Sequence, residues 1–555
     1  MNMKKIYLIL LGAGIMAGIA GCERFLDTEN LTKRDTSNYP ETEGEVSSLL
    51  TGVYSAARLM ENDPNGRCSF IVSEILSDDR FGGGGPDDAT YTNIEKFECD
   101  EPNMFEDTWS HAYMAIFRAN SLIKSIGMVT YSSDESKDYI TGQAYFLRAY
   151  CYLYLARMFG TCPLILSTDP VNLPRCSSDS LFAQIGSDLT QAIKLMPSTP
   201  MIPERGRATK WAAEALMARA YLFYTGYYKK ENMHGADGST IEGSTVTGYL
   251  DDCIANSGLG LYPDFRDLWP YSNEMSKRDG YAYSVNNDLS WVGETGGNYE
   301  TVFAFQGPAK VTDDNSDEAN HIVLYQSIRD QDQAGIFPFG LGWGFGTVNP
   351  QLWEDWPDSD LRKKGSICDT SDPDEMPDFQ WAGDHQQFET GYIQKKYIAV
   401  NVRSGESFVN YSKELYGSVV SDDYQLNNTQ DLVEIRFADV LLMDAELKKD
   451  AAPINRVRVR AGLEPIAYYS DEALRAERRH ELAFEGLRYY DLLRWGIAGE
   501  WLNKQNGVAI KNDGASATVQ LGDMKAAISR TGGFLPIPQT EIDLSAGVLK
   551  QTKGW

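Results

Sequence analysis

A mostly α-helical protein is what this sequence predicts: helical pairs stacked as a tetratricopeptide-like scaffold, carrying long irregular loops and a few short β-strands. Three observations predict it. Apolar residues recur three and four apart through the first half of the chain. A short motif repeats there at intervals that suit stacked helix pairs. From about residue 230 a texture rich in Gly, Asn, Asp, Pro and Trp takes over, with only short β-like runs.

The elements follow in order. MNMKK is a basic start, IYLILLGAGIMAGIA an apolar run, and Ile19-Ala20-Gly21-Cys22 a small-residue cleavage site. A cysteine directly after Ala-Gly is the bacterial lipoprotein box, so residues 1–21 are expected to be a signal peptide and Cys22 the acylated (palmitate-type) new N-terminus. The run is shorter and richer in glycine than the ~20 apolar residues a membrane span needs. Residues 22–45 then form the lipid-anchored segment.

Helical stripes come next. Trp109, Ala112, Ile116, Ala119 and Ile123 share one face, as do Ile140, Ala144, Leu147, Cys151, Tyr154 and Met158, and again Phe182, Ile185, Leu189, Ile193 and Met196. Thr209 reads as the N-cap of a helix carrying Trp211, Ala215, Ala218 and Leu222. Phe117-Arg118-Ala119-Asn120, Leu147-Arg148-Ala149-Tyr150 and Ala218-Arg219-Ala220-Tyr221 look alike, and their steps of 30 and 71 residues approach one and two periods of the ~34-residue tetratricopeptide unit. Residues 46–270 are therefore read as the N-terminal helical region. Residues 271–555 are read as a loop-bearing region packed on the same scaffold. TVFAFQ and YIQKKYIAV are its β-like runs, helix is expected at 432–447 and 471–496, and the prolines after Gly532-Gly533 preclude regular helix.

Composition excludes several function classes. The 42% hydrophobic content suits a folded core, and a net charge of −28 leaves no basic surface for nucleic acid or for an anionic bilayer. Besides Cys22 there are seven cysteines (68, 99, 151, 162, 176, 253 and 368), an odd number with no C-x-x-C, and the five histidines show no metal-ligand spacing. No metal or cofactor is expected. His480-Glu481 invites a zinc-protease reading, but Phe484 stands where the second histidine belongs. Gly82–Gly85 lacks the context of a phosphate loop, FGLGWGFG breaks G-x-G-x-x-G at Phe345, and DTSDPDEMPD lacks the glycine and terminal Glu of a calcium loop. Carboxylate pairs suited to glycoside hydrolysis must exist among 79 acidic residues, but sequence does not measure their separation.

The segment ERRHELAFEGLRYYDLLRWG at 477–496 sets Arg478–Glu481, Glu485–Arg488, Arg488–Asp491 and Asp491–Arg494 three apart, with apolar residues on most other faces. It reads as a central helix with mutually satisfied, partly buried charges, holding the fold rather than doing chemistry. Binding is better sought among Trp269, Trp291, Tyr299, Trp343, Phe345, Trp353 and Trp381, which sit in Gly/Asn/Asp-rich surroundings. A flat ring flanked by amides and carboxylates suits a sugar, whose C–H face stacks while its hydroxyls hydrogen-bond. Two or three of the set are expected to stand exposed.

Several motifs together carry a resemblance. Phe25-Leu26-Asp27 follows the lipid cysteine; Ser77-Asp78-Asp79, the Trp109–Asn120 helix, Gln143–Tyr150 and Tyr262–Leu268 come next. Gly342–Phe345, Glu434–Asp439, the 477–496 segment and Leu535–Gln539 complete the order. End to end, this resembles the SusD/RagB family of outer-membrane lipoproteins. The resemblance implies a non-catalytic, surface-exposed protein that captures oligo- or polysaccharide and works with a SusC-like TonB-dependent β-barrel transporter. A RagB-like importer of peptides is the alternative, and a surface glycosidase a further one. It points to Phe81 and Tyr91 in the loop after Ser-Asp-Asp, then to Trp291, Tyr299 and Trp343, as ligand-binding residues. The chain departs from the family pattern at Asp444, where an aromatic is usual, in the short turn at Leu447–Pro453, and at Lys553, where proline is typical.

Overall fold

The computed structural model describes residues 39–99, 101–198, 206–293, 298–307, 318–329, 337–376 and 379–555. The leader, Cys22 and Phe25-Leu26-Asp27 lie outside the described residues. Among the described residues no helix is long and apolar enough to cross a membrane.

Helix α1 (Glu43–Glu61) starts on a capping box in which Thr42 and Glu45 satisfy each other's backbone N–H. After the short α2 (Ser69–Ile75) come α3 (Glu106–Ser125), α4 (Asp134–Phe159), α5 (Ser178–Leu195), α6 (Lys210–Tyr228) and α7 (Gly243–Asn256). α1 packs on α3, and from α3 onward each of these helices packs on the next, the nearest-neighbour stacking of a helical solenoid. The predicted stripes are the packed faces: Trp109, Ala112, Ile116 and Ala119 are buried on α3, and Phe182, Ile185, Leu189 and Ile193 on α5. Thr209 caps α6, its hydroxyl accepting from the Ala212 N–H. From Gly142 to its end α4 is buried on almost every side, which makes it the central rod.

The repeated motif has a physical role. Arg148 donates to both oxygens of Asp188 on α5 (2.8 and 2.6 Å) and to Asn120 on α3 (2.7 Å), tying three helices with one guanidinium. Arg219 of α6 reaches Asp439 at 2.7 Å on α8 (Phe437–Lys448). α8 pairs with α9 (Ala451–Arg460), and α7 packs on α8, so the late helices extend the same stack. The shortened turn at Leu447–Pro453 leaves this pairing intact.

Two expectations need correction. Residues 432–436 are not helix but strand β4 (Leu432–Arg436), antiparallel to β2 (Thr301–Phe305), while β1 (Arg80–Gly83) pairs with β3 (Phe345–Val348). Leu432 and Ile435 are buried where the segment pairs with TVFAF through a bulge between Val433 and Ile435, and that pairing outweighs the helical tendency that resumes at Phe437. The 471–496 segment is two helices, α10 (Asp471–Glu481) and α11 (Arg488–Trp495), not one. Between them Phe484 and Gly486 adopt φ of 66° and 70°, and a Cβ at Gly486 would lie 2.8 Å from the Phe70 ring.

That break redirects the charges. Of the four predicted ladder pairs only Asp491–Arg494 forms. Arg478 instead bonds Asp439 (2.7 Å) and Asp491 (2.8 Å), Arg479 bonds Asp79 (2.6 Å), and Arg488 bonds Asp78 (2.7 Å). Glu481 gathers the guanidiniums of Arg362, Arg436 and Arg460, and Glu485 holds Arg436 and Lys396. All of these groups are buried except Arg460, which is half-buried. The web is structural, as expected, but its links are long-range.

Candidate functional site

The β2–β4 pair rests on the helical stack. Phe303 sets its ring edge-on to Phe146 of α4 (5.0 Å between centroids), and Phe305 does the same to Tyr150 (5.6 Å). Beside this pair opens a cleft of about 340 Å³, walled by the segment before α6 (Gly206, Arg207), the turn after α7 (Gly258, Leu259) and the loop residues Trp291 and Tyr299. Its floor is Trp269, only 2% exposed.

Each ring is held by its own loop. Tyr299 is 42% exposed, leans on Tyr262 at 5.3 Å, and its carbonyl accepts from the Gly260 N–H. Trp291 is half-buried, with its N–H bonded to the Ser272 carbonyl and its ring perpendicular to Tyr411 at 5.5 Å. Trp269 meets Tyr397 edge-on, and the Lys396 and Arg436 cations lie 5.0 and 5.8 Å from its ring. These two cations belong to the buried charge web, so the web clamps the cleft floor from within.

The polar lining is mixed and mostly engaged. Arg207 lies over the Tyr54 ring (4.9 Å) and donates to Thr51, and Asp431 accepts the Gly307 N–H at 3.0 Å. The amides of Gln306, Gln430 and Asn298 complete the wall. Rings that can stack, amides and, among the described residues, one cation and one carboxylate equip the cleft for a neutral polyhydroxylated ligand.

Of the five predicted site aromatics the structure brings Trp291 and Tyr299 together and sets the others elsewhere. Phe81 is 0% exposed: it lies on β1 opposite Thr347, beside Phe388, and is a core residue rather than a platform. Tyr91 is 6% exposed, its ring 4.0 Å from Phe345 and its hydroxyl spent on the Asn65 carbonyl. Neither can offer a ring face to a ligand in this arrangement, because β1–β3 pairing draws the loop after Ser-Asp-Asp into the core. Trp343 is half-buried in the same group, edge-on to Tyr325 at 4.8 Å. Of the wider aromatic set Tyr299 and Trp381 are exposed, and Trp381 carries Lys511 Nζ 3.6 Å from its ring. The residues missed from sequence, Arg207, Gln306, Gln430 and Asp431, are polar residues without any motif. Only the β2–β4 pairing, with Phe305 opposite Leu432, carries the segments around Gln306 and Gln430 to one cleft.

With this geometry in hand, comparison with known proteins is decisive. Residues 24–222 match a family model described as starch-binding and associating with the outer membrane, and residues 340–555 match the SusD family model. The chain belongs to the SusD/RagB family. SusD-like protein P25 of Formosa agariphila is 23% identical over 529 residues, covering 89% of this chain and 90% of that protein. A SusD-like protein of Bacteroides ovatus is 31% identical over 192 residues, 33% of this chain and 32% of its own. Among solved structures, a laminarin-binding SusD-like protein (24% identity, TM-score 0.69) covers 93% of this chain and is itself covered fully. Surface glycan-binding protein A of Bacteroides thetaiotaomicron, solved in complex with laminarihexaose, matches at 20% identity and TM-score 0.69, over 92% of this chain and 99% of its own. The mostly helical SusD-like fold with its tetratricopeptide-like scaffold is thereby shared over 93% of the chain.

Proposed function

We propose that this protein is a non-catalytic glycan-binding lipoprotein of the cell surface, anchored in the outer membrane through lipid on Cys22, with residues 1–21 removed. It captures oligo- or polysaccharide and delivers it to a SusC-like TonB-dependent β-barrel transporter. The observation that carries this reading is the cleft lined by Trp269, Trp291 and Tyr299 together with Asn298, Gln306 and Gln430. Membership of a family whose members include proteins named for laminarin and surface-glycan binding supports the ligand class. Support for a binding rather than hydrolytic role comes from the chemistry of the described lining: the one carboxylate among the described residues there, Asp431, already accepts a backbone N–H, and no second acid among the described residues lines the cleft to form the pair that glycoside hydrolysis needs.

The test uses protein beginning after Cys22, run through native gels cast with a panel of polysaccharides, with tryptophan fluorescence and a reducing-sugar assay on any retarded pair. Retardation without sugar release, abolished by Trp291→Ala, is the expected outcome. Release of reducing sugar would establish a glycosidase instead. Absence of retardation across the panel, with retention of peptides, would establish the peptide importer. Co-purification with a large barrel protein from native membranes tests the delivery step.

A further inference from the structure

A second depression lies away from the Trp291 cleft, where the α4–α5 connection meets the C-terminal end of α6 and the last residues of the chain. It encloses about 490 Å³, large enough for one or two sugar rings. In a chain with 79 acidic residues, no Asp or Glu among the described residues lines it, while Arg175 and Lys553 both do. The Trp291 cleft, by contrast, is lined by both Arg207 and Asp431.

Arg175 is the unusual group. Its guanidinium donates to Thr161 Oγ1 (3.0 Å), Thr552 Oγ1 (3.2 Å) and the Phe159 carbonyl (2.6 Å), all neutral acceptors. Three of its five N–H groups are thus used, and none by a carboxylate. Burial lowers its pKa, and the groups that partly restore it are the thiols and phenols of Cys162, Tyr228, Cys176 and Tyr113. A half-buried guanidinium held open by neutral partners keeps its affinity for an anion, because the geometry is fixed and the charge is not yet met. Lys553 stands exposed at the same depression.

The wall opposite is aromatic. Tyr227 and Tyr228 sit edge-to-face at 4.8 Å, and their hydroxyls are spent on the Gly532 and Gly160 carbonyls (2.6 and 2.9 Å). With the hydroxyls engaged, they offer ring surface rather than hydrogen bonds. Ser178, in the first turn of α5, adds a hydroxyl, while the neighbouring Asp179 turns to Tyr224 and Lys230. Ring surface, hydroxyls and two cations without an acid match a pyranose that carries a negative group.

We infer that this depression is a second binding site, taking an acidic sugar residue through Arg175 and Lys553, its carboxylate or sulfate ester on the cations and its ring on Tyr227 and Tyr228. The site shares no residue with the Trp291 cleft, so either can fail without the other.

The experiment is ligand-observed NMR titration of the full chain in a mild detergent at constant ionic strength. The probes are glucuronic acid, glucose 6-sulfate, glucose, inorganic sulfate and N-acetylglutamate. Both acidic sugars are expected to bind about fivefold or more tighter than glucose, sulfate or N-acetylglutamate, as one charge-assisted pair allows. A preference for only one of them names the anion and still supports the site. Lys553→Glu, an exposed change that leaves the fold alone, is expected to remove that preference, and Arg175→Gln to do the same while Trp291-dependent retardation persists. Glucose binding as tightly as glucuronate, or Lys553→Glu without effect, overturns the inference. Sulfate equal to both acidic sugars reduces the site to plain anion binding, and N-acetylglutamate equal to them makes it a peptide site; each of these also overturns it.

Discussion

The charge web around α10 and α11 and the Trp291 cleft meet at the Trp269 ring, 5.0 and 5.8 Å from the Lys396 and Arg436 cations, yet they are built on opposite plans. In the web nearly every ionised group is buried and met by partners distant in sequence: Arg479 bonds Asp79, and Arg488 bonds Asp78. In the cleft Trp291 and Tyr299 belong to separate loops, stay partly exposed and make few bonds beyond their own supports, while Trp269 is buried. The difference teaches where each region's energy resides. Burying ions recovers their desolvation cost only if every partner stays in place, so the web tolerates no loss. The cleft leaves its surface for a ligand to cover, so a lost ring costs the fold little.

The largest expected effect breaks the web. Glu481→Gln removes the carboxylate that Arg362, Arg436 and Arg460 share and leaves three buried or half-buried guanidiniums short of charge. Loss of one partner from a buried ionic group costs ~3–5 kcal/mol. A urea melt should show that loss, and glycan affinity of the folded remainder should change little. An unaltered midpoint would show that the web is redundant.

Titration probes the same web from the proton side. Burial alone would raise the carboxyls of Glu481, Asp439 and Asp491, but adjacent guanidiniums outweigh it and hold all three below the ordinary range. Groups so depressed contribute stability that is complete above the unfolded values near ~4 and is lost as pH falls through their folded values. Elsewhere the sign reverses. Burial pushes Glu61, Glu95 and Glu214 each up to about 8, Glu61 with help from Glu434. Those carboxyls bind protons more tightly folded than unfolded, so their contribution is complete below ~4 and is lost as pH rises toward 8. Melting temperature against pH should therefore peak on the acidic side of neutrality and fall in both directions. A plateau extending to pH 9 would show that the raised group is absent.

Legibility in the sequence divides along the same line. The stripes of α3 to α6 and the Thr209 cap were readable because helix packing and capping depend on residues three and four apart. The web was readable as structural, since eight charges among large apolar residues leave no other stable arrangement, but its partners were not. Pairing Arg488 with Asp78 needs a turn at Phe484–Gly486 that no periodicity announces. Strand β4 was misread because Leu432–Arg436 becomes a strand only when TVFAF lies beside it. In the candidate site, Trp291 and Tyr299 were legible as aromatic residues in loops, while Phe81 and Tyr91 had the same signature and became core. Chemistry of a side chain is local, but exposure is decided by the segments that happen to pair across it.

The comparison sharpens at Trp291. Trp291→Ala removes one ring from the cleft lining and one edge contact with Tyr411, a change that should weaken glycan binding by about 2 kcal/mol, as for a central aromatic contact. The same variant should melt within about 1 kcal/mol of the parent, since the ring is only half-buried. Equal losses of affinity and stability would place Trp291 with the core rather than with the ligand.

The smallest effect is expected at Tyr299, and it distinguishes stacking from hydrogen bonding. Its hydroxyl has no hydrogen-bond partner among the described residues, and its ring leans on Tyr262. Tyr299→Phe keeps the ring and its support, so stability should stay within about 0.5 kcal/mol. If the ligand uses only the ring face, affinity stays within twofold as well. A loss of about 1 kcal/mol in calorimetry would instead assign the hydroxyl to a sugar oxygen, the net worth of one hydrogen bond. Either result fixes the depth to which a glycan enters the cleft, because the Tyr299 ring stands at its exposed rim and Trp269 at its buried floor.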